Sequence, residues 1–273
     1  MLHSEQRESP SRQPIVVRKP HFNFDASMPV LWFRDNAFLT FLFNGFNLTF
    51  PEGERMFVRA VHEHRDAITD PELLAQIDAF SAQEGHHASA HQRLFDALRG
   101  QGFNLDGFLD DYEEFSRQVR EGPAARRLAA TAALEHYTAL LASLFFETDV
   151  LDGVDSEMRR LLVWHATEEL EHRAVAFDVM QASGIGYLDR VSAFLMASTN
   201  MFYWIARGMR LFKEQSGTPT SRVWRDFRAA GKVIPGRKLL RATLSYLRPG
   251  FHPRELGSMD GAYEHMRAEG LMA

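Results

Sequence analysis

The chain has 273 residues, 45% of them hydrophobic and 25% charged, with no cysteine and a formal net charge of −5. This length can bury one large core or two small ones. The absence of cysteine excludes disulfides, thiolate metal sites and a cysteine nucleophile and fits a reducing compartment, while the acidic balance gives no case for nucleic-acid binding.

Residues 1–28 open with "MLHSEQRESPSRQP", which has no apolar core of a secretory signal, and they read as a poorly ordered arm. The aromatic stretch "VLWFRDNAFLTFLFNGFNLTF" (30–50) should pack over a core. The first long helix is expected to start with Thr49 as N-cap and Pro51 in its first turn, running to about residue 64. A second opens at Asp70-Pro71 and stops at Gly100, and a shorter helix falls within 105–121. A third long helix follows Gly122-Pro123 to residue 147, and a fourth runs from Asp155 to Gly184. A further helix over 187–214 precedes shorter basic helices. No alternating strand pattern and no repeat of solenoid length occurs. The expected fold is all-α: a four-helix bundle over 29–215, extended within the same domain by a basic helical segment over 216–273.

The stretch "WHATEELEHRAVAFD" (164–178) sets His165, Glu168, Glu169 and His172 at i, i+3, i+4 and i+7, one stripe of a helix. A buried stripe of this kind needs compensation, because each unpaired polar group costs roughly 2–7 kcal/mol. Glu169 and His172 form a Glu-x-x-His pair, and Glu84 and His87 form another. At i, i+3 a carboxylate and an imidazole can bind one metal from a single helix face. Each pair has a helix-borne glutamate upstream, Glu54 before Glu84 and Glu135 before Glu169, at the separation that antiparallel helices need to bring two residues level. Four carboxylates and two imidazoles suit two metal ions, with iron first, manganese or a mixed manganese–iron pair open, and zinc less suited.

These motifs resemble the ferritin-like di-iron carboxylate superfamily over about residues 50–180. More closely, "FNLTFPEGERMFVRAVHEHRD", "QEGHHASAHQRL" and "HATEELEHRAVAFDV" resemble the predicted metal-dependent hydrolases, from about residue 28 onward. The resemblance implies a ferritin-like bundle with Glu54, Glu84, His87, Glu135, Glu169 and His172 as ligands. His165, one turn before Glu169, resembles the additional histidine ligand of di-iron arylamine N-oxygenases. It is expected on the metal that His172 binds, with a hydrogen bond to a ligand carboxylate as the alternative.

Other residues near the motifs have lesser expected roles. Glu52 competes with Glu54 but should be solvated in a first turn. His62, His91 and Glu168 are candidates to orient ligands, Glu168 toward His172, whereas His86 and His136 should point away. Phe57, Phe80, Thr131, Thr138 and Leu162 fall near the ligands and are candidates to line a cavity.

Between Arg207 and Arg254 stand twelve Lys or Arg and only Glu214 and Asp226 as acids, after the uncharged run 191–206. The run is too short to span a bilayer, and a buried fifth helix competes with an interfacial anchor as its explanation. The expected location is cytoplasmic, with peripheral membrane contact and a homodimer left open. The expected activity is oxidation of an apolar, even lipid-like, small molecule, with dioxygen and an electron donor as partners. Metal-dependent hydrolysis is the alternative.

Overall fold

The computed structural model describes residues 14–272. Its helices are α1 (Ala37–His62), α2 (Pro71–Gly100), α3 (Asp106–Arg120), α4 (Ala124–Glu147), α5 (Ser156–His172), α6 (Val175–Ala182), α7 (Tyr187–Gln215), α8 (Thr220–Ala230), α9 (Gly236–Ser245) and α10 (Met259–Ala268). Among the described residues there is no strand, only the isolated bridge between Phe33 and Val154.

Two expected boundaries move. The first helix starts at Ala37, not near Thr49, so the aromatic stretch is its N-terminal half. The Asn36 side chain caps it by accepting the Leu39 N–H at 2.8 Å. A carboxylate from a distant element, Asp226 on α8, accepts the Ala37 N–H at 2.9 Å. Pro51 lies inside the helix; it removes one backbone donor, and burial of Leu39, Phe41, Phe43 and Leu48 offsets that loss. The helix expected over 155–184 breaks at Arg173-Ala174. The Arg173 guanidinium donates to the Leu170 carbonyl, an acceptor that a continuous helix would have used, and to the Pro253 carbonyl of a distant segment.

The N-terminal arm also differs from its reading. Residues 14–27 carry no regular structure, yet Phe22 and Met28 are buried against the bundle. The first 13 residues of that arm lie outside the described residues.

The buried side chains form two apolar clusters. One contains Trp32, Phe43, Leu94, Phe145 and Trp164. The other contains Phe57, Ile77, Phe80, Leu128 and Phe177. Along α1, α2, α4 and α5 the expected ligands fall between these clusters, so a polar layer divides the core. Packed on α1 and α4 is α7, which crosses α1 where two glycines meet. A Cβ at Gly208 would come within 2.7 Å of Gly45 Cα, and one at Gly45 within 2.8 Å of the Ile205 carbonyl oxygen. By length and composition α4 could cross a membrane, but 72% of its apolar window is buried within the bundle.

Candidate metal centre

Glu54, Glu84, Glu135 and Glu169 come from α1, α2, α4 and α5, and all are buried. His87 and His172 are fully buried beside them, and His165 is 6% exposed. Donor atoms of Glu54, His87 and His165 lie within 4.8 Å of one another, as do those of Glu84, Glu135 and His172, and those of Glu84, His87 and Glu169. Two of the carboxylates reach both halves. One Glu84 oxygen lies 3.8 Å from His87 Nδ1 and the other 3.4 Å from His172 Nε2. For Glu169 the corresponding distances are 3.6 Å and 3.3 Å.

His165 sits on the opposite half from the one expected. Its ring stacks on His87 at 4.1 Å between centroids, and its Nε2 lies 3.7 Å from a Glu54 oxygen. The cause is helical: a residue seven before His172 is two turns away along α5, at the level of the Glu54–His87 half.

The donor atoms fit bound cations. Both oxygens of Glu54, Glu84 and Glu135, one of Glu169, His87 Nδ1 and His172 Nε2 are buried without a hydrogen-bond partner. Burial, and then repulsion by neighbouring carboxylates, pushes Glu54, Glu84 and Glu135 well above the usual carboxylate range. Burial also acts on Glu169, but His172 and the hydrogen bond from His165 outweigh it and hold its carboxyl well below that range. Burial, then the neighbouring His165, lowers both His87 and His91. A site with this many acidic donors held close together is neutralised by protons or by metal.

A second layer fixes the imidazoles. His87 Nε2 hydrogen-bonds Glu168 at 3.0 Å, and His172 Nδ1 hydrogen-bonds Gln83 Oε1 at 3.1 Å. Gln83 in turn donates to Glu171 at 2.8 Å. From the N-terminal arm, Arg18 reaches both carboxylates, Glu168 at 3.4 Å and Glu171 at 2.8 Å. One guanidinium therefore stands behind both histidine-orienting groups. Burial pushes Glu168 up to about 8 although Arg18 opposes it. His91 Nε2 pairs with His165 Nδ1 at 2.7 Å.

The remaining candidates separate clearly. Glu168 orients His87, not His172 as expected. His91 touches a ligand candidate, whereas His62 is exposed and bonds Ser81. Glu52 pairs with Arg55 and Arg120. His136 points away from the centre as expected and is buried, with Nε2 on the Thr243 carbonyl; His86 is half-buried. Arg18, Gln83 and Glu171 were not anticipated. A second carboxylate stripe at 168 and 171 was visible in the sequence, but its arginine partner stands about 150 positions away.

A cavity of about 240 Å³ ends at Glu54 and is bounded by Phe46, Phe50, Phe57, Tyr112, Trp204 and Met196, with Thr131 and Thr138 also on its wall. Leu162 borders a smaller recess with His165 and Glu169. Phe80 instead presents its ring to His172 in an edge contact at 4.9 Å.

A family model described as predicted metal-dependent hydrolase matches residues 16–257. No curated protein and no solved structure matches the chain.

Proposed function

The chain belongs to the predicted metal-dependent hydrolase family, and from that premise we propose a dimetal enzyme whose ions are held by Glu54, Glu84, His87, Glu135, His165, Glu169 and His172. The observation that carries this reading is the set of buried, unpaired donor atoms from four helices. On this reading Glu54, His87 and His165 serve one ion and Glu135 and His172 the other, with Glu84 and Glu169 shared. The bundle is read as ferritin-like, and the metals as iron.

The activity we propose is oxidation of an apolar small molecule by dioxygen, with an external electron donor. Iron in such a set supplies the electrons that dioxygen needs, as carboxylates support its higher oxidation states. The chain's own groups do the rest. Glu168 and Gln83 orient two imidazoles, and the aromatic wall of the cavity excludes water and receives apolar substrate beside Glu54. A second reading, hydrolysis, is favoured by the family description; there the metal pair would supply Lewis acidity.

Loading metal-free protein with iron(II) under nitrogen and mixing it with oxygenated buffer separates the two. Oxygen uptake above that of free iron is expected, lost in Glu135→Ala and retained in the surface variant Glu113→Ala. Uptake equal to that of free iron, together with ester turnover by zinc-loaded protein, would establish hydrolysis instead.

A further inference from the structure

Among the described residues, exposed large hydrophobic side chains occur in only two places. Three valines lie near the N-terminus, at 16, 17 and 30, and the rest belong to the consecutive helices α7, α8 and α9. On α7, Leu188, Leu195 and Phe202 are 79%, 56% and 58% exposed. Their sevenfold spacing sets them on one stripe, and no charged residue interrupts positions 191–206. Trp224 and Phe227 are exposed one turn apart on α8, and Leu240 and Leu244 one turn apart on α9.

The same segment holds the excess of positive charge. Arg228, Lys232, Arg237 and Arg241 are exposed and have no ion pair or side-chain hydrogen bond among the described residues. Of the three acids on these helices, Asp189, Glu214 and Asp226, Glu214 pairs with Arg210, and Asp226 is buried and committed to Ala37, Arg222 and Arg225. Exposed aromatic and aliphatic side chains interleaved with unpaired cations match the two forces of an anionic bilayer, apolar insertion and attraction to head groups.

We propose that α7, α8 and α9 form a surface that docks on an anionic lipid bilayer. A second copy of the chain is the poorer occupant, because a two-fold interface would set these unpaired cations near their own copies. Met196 is both exposed on α7 and part of the cavity wall, so the cavity borders the docking face. A lipid-phase substrate follows from that border and rests on the proposed function; the docking itself does not.

The test is flotation of the full-length protein with vesicles of phosphatidylcholine alone or mixed with phosphatidylglycerol, at low and high salt. Binding is expected on the mixed vesicles, roughly tenfold weaker on neutral ones, and reduced by salt. The emission of Trp224 should shift to the blue, since Trp32, Trp164 and Trp204 are already buried; Trp224→Phe should remove the shift and keep the binding. Trp224→Ser with Phe227→Ser, and separately Arg228→Glu with Arg241→Glu, should each abolish flotation while circular dichroism stays unchanged. No flotation with either vesicle, or equal flotation with both, overturns the proposal. So does a dimer in sedimentation velocity that the Ser variants convert to monomer.

Discussion

The carboxylates of the centre make opposite demands with and without metal. Burial and mutual repulsion raise Glu54, Glu84 and Glu135 well above the usual carboxylate range, which favours their protonated forms when no metal is bound. A metal must displace those protons, so its affinity should rise with pH. Weakly buffered protein should therefore acidify on metal addition, and Glu135→Gln should release fewer protons per chain; a pH-indicator titration checks both. Glu168 shows the same sign in stability. Its folded value of about 8 lies above the unfolded one, so its contribution is full below pH about 4.5 and lost as pH rises through about 8. The Tm of metal-free protein should therefore fall as pH rises toward about 8, less steeply in Glu168→Gln. Removal of Arg18 leaves Glu168 and Glu171 without their cation, so Arg18→Met should weaken metal binding by about tenfold, the scale for groups that orient ligands; competition with a chelator measures it. At this scale the two Glu-x-x-His pairs were readable from spacing alone. The partner of His165 was not, because a stripe gives a face of a helix and not the height at which neighbours meet it. Arg18 was hidden for a plainer reason: a contact made by an extended arm has no period.

Helix ends show where local signals hold and where packing overrides them. Asp70-Pro71 starts α2 as its chemistry dictates, with the Asp70 side chain accepting from Glu72 and Leu73. Thr49-Pro51 carries a comparable signal but lies mid-helix, because the aromatic residues before it have an apolar face to bury. Beyond α5, Arg173 at the break donates to the Pro253 carbonyl, supplied from a distant segment, and no pattern in 155–184 announces the break. The α1–α7 crossing yields a sharp expectation. Gly208→Ala would place a methyl 2.7 Å from backbone, and such overpacking should cost about 1–3 kcal/mol. Denaturant unfolding checks this; Gly236→Ala, with open space around its Cβ position, should not carry that overpacking cost.

Across the whole molecule, a layer of buried acid and imidazole separates two apolar clusters that would otherwise be continuous. The layer ties α1, α2, α4 and α5 together only if something satisfies it, so folding and metal binding are coupled. The all-helical class and the four segments carrying the candidate ligands followed from periodicity, whereas the placement of α7 to α9 around the bundle did not, since it depends on which faces remain after the core is filled. The most direct test of the dimetal account is metal content by mass spectrometry on protein loaded with iron(II) and desalted, paired with anomalous diffraction at the iron edge. The account predicts two ions per chain, held among the seven named side chains as divided above, and fewer than two in Glu84→Ala. A single ion or none at full loading, or two ions held elsewhere on the chain, would contradict it.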